Sequence, residues 1–210
     1  MRDLFNKKIL LKPKFWDHKK ISFWSIILLP FSAIFLLVSF ILIKFQTQKK
    51  FSIPVICVGN IYIGGTGKTP LVKEIFKISK TLGKNPAFIK KSYDFLSDEI
   101  QMLKKVGKTF TNKNRVKSVE EALKNQNDLV ILDDGFQDFS IKKDFSILCF
   151  NSNQQIGNGL IIPSGPLREN LRSIQRADCI IINGERNLEF ENKIKKTLET
   201  KKIPIFYSEY

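Results

Sequence analysis

Hydrophobic residues after about residue 50 come in short continuous runs rather than in alternation with polar residues. The runs that predict strands lie at residues 53–58, 86–90, 128–134, 145–150, 178–183 and 203–208. Between them, amphipathic or charged stretches predict helices over 70–82, 97–108 and 189–201, and residues 120–125 predict the end of another helix. Strands that are apolar throughout are typical of a parallel sheet covered on both faces. We therefore predict an α/β fold with a mostly parallel sheet and helices on both faces.

A second hydrophobic pattern precedes this region. Residues 21–43, "ISFWSIILLPFSAIFLLVSFILI", contain no charge, and about 20 helical residues suffice to cross a bilayer. The stretch is too long for a signal peptide and lacks a small-residue cleavage site. We predict three parts: a basic leader over 1–20, a membrane-associated helix over 21–45, and an α/β domain over 50–210.

The arrangement of this helix in a membrane stays open. Both of its flanks are basic, and basic flanks prefer the cytoplasmic side of a membrane. Pro30 also interrupts the hydrogen bonding of a helix. Two alternatives follow: a span with an unusually basic outer end, or a helix that enters the membrane and returns.

The charge of the chain favours anionic partners. Its 210 residues carry a net charge of +15, and the isoelectric point is near 9.7. The basic residues are spread along the chain and concentrated beside the apolar segment, and no nucleic-acid motif is present, so we expect no nucleic-acid partner. A single histidine, His18, and three widely separated cysteines argue against a metal site built from these residues.

The stretch "VGNIYIGGTGKTP", residues 58–70, connects a predicted strand to a predicted helix. This is the arrangement of a P-loop, in which glycines let backbone N–H groups point at phosphate and the helix start adds partial positive charge. Lys68 then reaches the β- and γ-phosphates and Thr69 offers its hydroxyl to Mg²⁺. The strict pattern has glycine where Tyr62 stands, so the later glycines supply the flexibility. The residues predicted to bind ATP are Tyr62, Ile63, Gly64, Gly65, Thr66, Gly67, Lys68 and Thr69.

A pair of carboxylates supplies the second half of such a site. In "LVILDDGFQ" the apolar run ends in Asp133 and Asp134, and Gly135 lets the chain turn away. Adjacent carboxylates repel each other, and a bound cation relieves that repulsion. We therefore predict that Asp133 and Asp134 hold Mg²⁺ beside the phosphate loop.

These motifs together resemble the tetraacyldisaccharide 4′-kinase family, also called the lipid A 4′-kinases. The matching pieces are Trp16 before the apolar segment, "VGNIYIGGTGKTP", "SDE" at 97–99, "ILDDGFQ" at 131–137, "GNGLIIPSGPLRE" at 157–169 and "RADCIIIN" at 176–183. The resemblance implies transfer of the γ-phosphate of ATP, with Mg²⁺, to the 4′-hydroxyl of a tetraacyldisaccharide 1-phosphate in lipid A biosynthesis. It also implies the inner membrane of a Gram-negative bacterium, with the catalytic domain on the cytoplasmic face. The implied partners are this glycolipid and the membrane surface.

The resemblance also implies roles for individual residues. Asp98 matches the catalytic base, and Arg168 can neutralise charge on the moving phosphoryl group, as can Lys68. Gln137 matches a polar residue of the nucleotide site. The residues implied around Mg²⁺ are Thr69, Asp133, Asp134 and Glu169.

Several positions depart from the family pattern. Ser97 and Ile100 replace glycine and proline beside the base, "KKSY" at 90–93 replaces Ser-Arg-Gly-Tyr, Asp138 replaces a histidine and Asn170 a proline. The family's C-terminal part, whose histidine assists the base, has no counterpart before Tyr210.

The missing histidine leaves several alternatives. Either Asp98 acts unassisted, or the protein is a weakened or inactive relative, or another polypeptide completes the site. The alternative function is a membrane-attached P-loop protein that binds nucleotide as a switch or scaffold without phosphorylating an acceptor.

Overall fold

A sheet of seven parallel strands forms the centre of the protein, whose computed structural model describes residues 12–92, 97–199 and 201–209. Along the sheet the strands follow the order β3-β2-β4-β1-β5-β6-β7. Their bounds are β1 Val55–Gly59, β2 Pro86–Lys91, β3 Thr109–Asn112, β4 Leu129–Asp133, β5 Phe145–Asn151, β6 Cys179–Asn183 and β7 Ile205–Ser208. The chain passes from β1 outward to one edge and then returns to build the other half. The carboxyl ends of all these strands therefore lie along one edge of the sheet.

Helices cover both faces of the sheet, as predicted. Their bounds are α1 Phe23–Ile27, α2 Leu29–Lys44, α3 Lys68–Thr81, α4 Ser97–Lys104, α5 Arg115–Lys124 and α6 Leu188–Leu198. Neighbouring residues of a strand point to opposite faces, and on β4 Ile131 and Leu132 belong to two separate core clusters. Helices α3 and α4 pack on the Ile131 side, whereas α5 and α6 pack on the Leu132 side.

Two predicted boundaries differ from the structure. The helix predicted over 97–108 ends at Lys104, and Thr109–Asn112 form β3, which was not predicted. All four residues of this edge strand are only half-buried, so it has no apolar run to mark it. Helix α3 begins at Lys68 rather than at Pro70, so the lysine and threonine of the glycine-rich loop lie in its first turn.

The apolar N-terminal segment forms two helices rather than one. Helix α1 ends at Ile27 and α2 begins at Leu29. The helix is therefore interrupted just before Pro30, as the proline predicted. Within the described residues, no helix combines the length and apolarity needed to cross a bilayer. Residues 1–11 of the predicted leader lie outside the described residues.

The side chains of these two helices are arranged in an unusual way. Most of their large apolar side chains are exposed, whereas Ser25 and Ser32 are buried against the domain. Ser32 Oγ donates to the carbonyl of Ile161 at 2.8 Å, and Asn158 Nδ2 donates to Ser25 Oγ at 3.1 Å. The helices therefore contact the domain through small polar residues and turn their apolar side chains outward.

Candidate functional site

The loop between β1 and α3 presents a row of backbone amides. Within the described residues, the amides of 64–69 donate to no protein acceptor. They lie at the N-terminus of a helix, where the partial positive charge of the helix favours an anion. Gly67 has the left-handed φ of 78° that begins this turn, a conformation that other residues rarely adopt. The arrangement fits a phosphate group.

Side chains from outside the loop hold it in this shape. Asn60 Nδ2 donates to the carbonyl of Tyr62 at 2.6 Å. Asn183, at the end of β6, donates from Nδ2 to the carbonyl of Thr66 and accepts from the hydroxyl of Ser208 on β7. The loop is therefore fixed to the sheet at both ends.

The loop opens onto a cavity of about 610 Å³. Its wall is rich in cationic side chains, which alternate with a few carboxylates. The lining residues are Gly64, Gly65, Thr66, Gly67, Lys68, Thr69, Pro70, Lys90, Lys91, Glu99, Arg115, Asp133, Asp134 and Arg168. A polyanionic ligand suits a cavity with this balance of charge.

Asp133 ends β4 at the floor of this cavity and is fully buried. Its Oδ2 pairs with the ammonium of Lys90, which also donates to Glu99 at 2.6 Å. Burial alone would lower the pKa of Lys90, but the carboxylates of Asp133 and Glu99 outweigh it and raise that pKa. Burial raises the pKa of Asp133, and Lys90 opposes this shift. Lys90 is therefore held as an ammonium between two carboxylates.

Asp134 follows with a left-handed φ of 59°, which turns its side chain toward the loop. Arg168 Nη1 donates to both of its carboxylate oxygens, at 2.9 and 3.0 Å, and Lys68 Nζ lies 3.8 Å from Oδ1. Burial would raise the pKa of Asp134, but Lys68 and Arg168 hold it below its usual value. Arg115 fixes the backbone here by donating to the carbonyl of Asp134 at 2.7 Å. Asp134 is thus an ionised group that lies against the phosphate loop.

The residues present fit a nucleotide with a magnesium ion. Asp133 Oδ1 is buried and has no hydrogen-bond partner in the part of the chain that the structure describes, and Thr69 lines the same cavity. Across the described ranges, no three carboxylate, thiol or imidazole groups converge as a ready-made metal site. Mg²⁺ commonly binds through one or two carboxylates together with substrate phosphates, so this donor set suits a metal that arrives with its nucleotide.

Some predicted site residues lie behind or beside the cavity. Tyr62 is buried, and its hydroxyl donates to Asp17. The amide of Ile63 already donates to the carbonyl of Pro166 at 2.8 Å. Neither Tyr62 nor Ile63 is among the residues that line this cavity in the described part of the chain. Their roles, like those of the other site residues, stay predictions.

Gln137 and Glu169 also point elsewhere. Gln137 Nε2 donates to the carbonyl of Asn60 at 2.9 Å, so it supports the base of the loop. Glu169 accepts from Arg176 at 2.7 Å and, unlike Asp133, is not among the described residues that line this cavity. The set of magnesium ligands implied by the resemblance is therefore only partly assembled.

Asp98 lies in the first turn of α4 and is exposed. Its neighbour Glu99 lines the cavity, whereas Asp98 is absent from the described lining residues. Residue 93 of the predicted "KKSY" motif lies outside the described residues. The structure therefore places the predicted base next to the rim of the cavity.

A second cavity, of about 840 Å³, lies between α2 and the loops after β1 and β4. Its apolar wall includes Phe35 and Leu42 of α2, and its polar end includes Gln137, Arg168 and Glu169. Arg168 also lines the first cavity. The two cavities are therefore neighbours with one shared arginine.

Several residues of the site were not predicted, among them Lys90, Glu99, Arg115 and Asn183. Lys90 and Asn183 lie at the carboxyl ends of predicted strands, and that edge is where parallel sheets bind ligands. This position was the available signal for both. Glu99 lies in the "SDE" piece of the family resemblance but was given no role there, and Arg115 carried no comparable signal. The contacts of both residues depend on which strands become neighbours.

A family model described as tetraacyldisaccharide-1-P 4′-kinase matches residues 24–209. The tetraacyldisaccharide 4′-kinase of Pelagibacter ubique is 47% identical over 195 residues, which cover 89% of this chain and 60% of that protein. The tetraacyldisaccharide 4′-kinase of Shewanella sediminis is 31% identical over 194 residues, which cover 80% of this chain and 57% of that protein. The chain thus spans about three-fifths of the length of these curated relatives.

Solved structures agree with the fold. The structure of LpxK from Aquifex aeolicus in complex with ATP superposes with a TM-score of 0.69 at 27% identity, covering 87% of this chain and 64% of that one. The 54 kDa signal recognition particle protein of Aeropyrum pernix superposes with a TM-score of 0.52 at 12% identity, covering 85% and 49%. At that identity the second match shows the fold alone. The LpxK match supports a P-loop NTPase-like parallel sheet with helices.

Proposed function

Because the chain belongs to the tetraacyldisaccharide-1-phosphate 4′-kinase family, we propose that it transfers the γ-phosphoryl group of ATP to the 4′-hydroxyl of a tetraacyldisaccharide 1-phosphate. One observation carries the proposal. The amides of residues 64–69, which donate to no acceptor in the described ranges, and the ammonium of Lys68 share one cavity with Asp133 and Asp134. An anion site and a cation site side by side are what phosphoryl transfer from a magnesium nucleotide needs.

Different residues of the first cavity bind the phosphates and the metal. The amides of 64–69 and Lys68 bind the phosphates, and Lys68 keeps the pair with Asp134 that orients it. Thr69 and Asp133 would hold Mg²⁺, which would neutralise charge on the phosphates of the nucleotide. When bound, ATP supplies the transferable phosphoryl group. Arg168 lies where it can neutralise charge on that group, because it reaches both cavities.

Asp98 accepts the proton of the acceptor hydroxyl in this proposal. The carboxylate of Asp98 is exposed at the start of α4, whereas that of Asp133 is fully buried. Proton acceptance requires hydrogen-bond reach to the hydroxyl in the complex, and catalytic geometry often tightens only when substrate binds.

The second cavity is the proposed place of the glycolipid acceptor. Its apolar wall on α2 suits acyl chains, and its polar end suits a sugar. The shared Arg168 is the point where acceptor and donor meet. The excess of basic residues over acidic ones, 35 against 20, suits a substrate that already carries phosphate.

We propose that α1 and α2 lie against the cytoplasmic face of the inner membrane. Leu37 and Phe40 are 60% and 65% exposed, and an apolar patch of this kind is typical of a membrane or protein contact. The basic residues beside the segment would bind anionic headgroups, at about 1 kcal/mol for each favourably placed Lys or Arg.

Vesicle binding tests this membrane contact. Replacing Leu37 and Phe40 together by Glu should weaken binding to anionic vesicles at least about tenfold, since charge in the hydrocarbon layer is costly. Ile78→Glu is the matched control, because Ile78 is 52% exposed on α3, outside the apolar segment. Equal vesicle binding by the double variant and the control would contradict the membrane contact.

A phosphate-transfer assay tests the activity. Wild type, Lys68→Met and Asp98→Ala are incubated with γ-labelled ATP, Mg²⁺ and tetraacyldisaccharide 1-phosphate in detergent micelles. We expect labelled bisphosphorylated lipid from the wild type, no nucleotide binding by Lys68→Met, and a rate about 10²-fold lower for Asp98→Ala with binding retained.

The second candidate function is nucleotide binding without transfer. The position of Asp98 outside the described lining of the cavity favours it. Nucleotide binding by a folded wild type that yields no labelled lipid would support this candidate and contradict the kinase. Equal rates for wild type and Asp98→Ala would contradict the role of Asp98 as the base.

A further inference from the structure

We propose that Lys90 is a built-in counter-ion of Asp133 that releases this carboxylate to Mg²⁺ by moving toward Glu99. Lys90 would thereby set the magnesium concentration at which the site binds nucleotide. The inference rests on the proposed function, because it requires that the first cavity takes a magnesium nucleotide.

The first observation is the position of the Lys90 ammonium. Its side chain is 4% exposed and that of Asp133 is 0% exposed, and the two groups are in direct contact. A buried carboxylate without a counter-charge is unfavourable, so Lys90 neutralises Asp133 when no metal is present. Lys90 also lines the first cavity, whose wall includes the phosphate loop.

The second observation is the free oxygen of the same carboxylate. Lys90 contacts Oδ2 of Asp133, whereas Oδ1 is buried and has no hydrogen-bond partner among the described residues. A metal or a metal-bound water at Oδ1 would place two cations on one carboxylate. These cations repel each other, so binding of Mg²⁺ and retention of Lys90 oppose one another.

The third observation is the alternative partner of Lys90. Glu99 Oε2 lies 2.6 Å from the ammonium, and the Glu99 side chain is 44% exposed at the rim of the cavity. Lys90 can therefore leave Asp133 without losing ionic pairing, because Glu99 already holds it. A lysine with only one buried partner would resist displacement more strongly.

The variants Lys90→Met and Glu99→Gln should shift the half-saturating Mg²⁺ concentration in opposite directions. Lys90→Met frees Asp133, so the Mg²⁺ concentration that half-saturates nucleotide binding should fall about tenfold, the lower end of what one adjacent charge does to cation binding by a carboxylate. Without metal, the same variant should bind nucleotide about tenfold more weakly, because the bare carboxylate repels phosphate. Glu99→Gln should instead raise the half-saturating Mg²⁺ about threefold, since an exposed charge acts more weakly.

The experiment is a fluorescence titration of the full chain with an N-methylanthraniloyl derivative of ATP, from EDTA-buffered zero Mg²⁺ to saturation. The double variant Lys90→Met/Glu99→Gln completes a double-mutant cycle. If Lys90 is released to Glu99, the effect of Glu99→Gln disappears in the Lys90→Met background. An equal effect in both backgrounds would mean that Glu99 acts only through its charge, which would overturn the release.

Folding of each variant is checked by circular dichroism, because Lys90→Met leaves a buried charge unpaired. If that variant does not fold, Glu99→Gln alone decides, and an unchanged half-saturating Mg²⁺ overturns the inference. Unchanged magnesium dependence in a folded Lys90→Met that binds nucleotide also overturns it, and leaves the proposed function intact. A wild type that binds no nucleotide at saturating Mg²⁺ would overturn the proposed function and this inference together.

Discussion

Asn183 offers a test of how the phosphate loop is held. It ends β6, donates to the carbonyl of Thr66, and is itself held by Ser208. Asn183→Ala removes the donor and leaves the Thr66 carbonyl without this partner in the interior, where Asn183 and Thr66 are 6% and 1% exposed. The amides that follow Thr66 are those proposed to bind phosphate, so a shift of this carbonyl shifts them too.

The size of the effect follows from the lost hydrogen bond. Leaving a buried acceptor unsatisfied costs about 1–3 kcal/mol. If the loop relieves this cost by turning Thr66 toward water, nucleotide binding must reverse that turn. The dissociation constant for the nucleotide should then rise by about 5-fold to about 150-fold, since each 1.4 kcal/mol is tenfold.

Isothermal titration with a non-hydrolysable ATP analogue and Mg²⁺ measures this constant, and thermal unfolding is followed in parallel. Ser208→Ala is the matched control, because it removes the support of Asn183 and keeps the donor. We expect it to weaken binding by only about threefold, near the low end of one hydrogen bond. Nucleotide affinity of Asn183→Ala within twofold of the wild type, with only the unfolding temperature lowered, would refute the reasoning.

Three further variants test the loop, an ion-pair network and the core. Gly67→Ala should weaken nucleotide binding about tenfold, because a left-handed residue with a Cβ costs about 1–2 kcal/mol and meets Asn183, and unchanged binding in the same titration would contradict this. Hydrogen bonds from Lys195, which has the largest effect, and from Arg186 and Tyr207 lower the pKa of Glu191 from 4.5 to about 2. This stabilisation is present above pH 4.5 and is lost as pH falls toward about 2, so urea unfolding of Glu191→Gln should show a deficit at pH 7 that shrinks over this range. A pH-independent deficit would argue against an ionised Glu191. Phe76→Ala should lower the free energy of unfolding by about 3–5 kcal/mol, and a loss below about 1 kcal/mol would contradict its place in the core.

Much of the fold was predictable because its signals are local. Runs of apolar residues marked β1, β2, β4, β5 and β6, which lie inside the sheet and are mostly buried. A run also marked β7, although it is an edge strand of half-buried and exposed residues. Strand β3 was missed because an edge strand of half-buried residues needs no such run. The break before Pro30 was predictable for the same local reason, since proline removes a helix hydrogen bond.

The partners within the site were less predictable because they depend on strand order. Lys90 meets Asp133 only because β2 and β4 are neighbours, although β3 lies between them in sequence. Asn183 reaches the loop across the sheet from β6. The buried serines of the apolar segment, Ser25 on α1 and Ser32 on α2, are spaced by seven residues, a spacing that would place them on one side of a continuous helix. Average hydrophobicity hides this pattern.

Determination of a crystal structure with Mg²⁺ and a non-hydrolysable ATP analogue tests the central claim most directly. The account predicts that the β- and γ-phosphates lie within hydrogen-bond distance of the amides of residues 64–69 and of Lys68 Nζ. It also predicts that the metal lies beside Asp133. A nucleotide bound elsewhere, with the loop amides still free of phosphate at saturating ligand, would contradict the account.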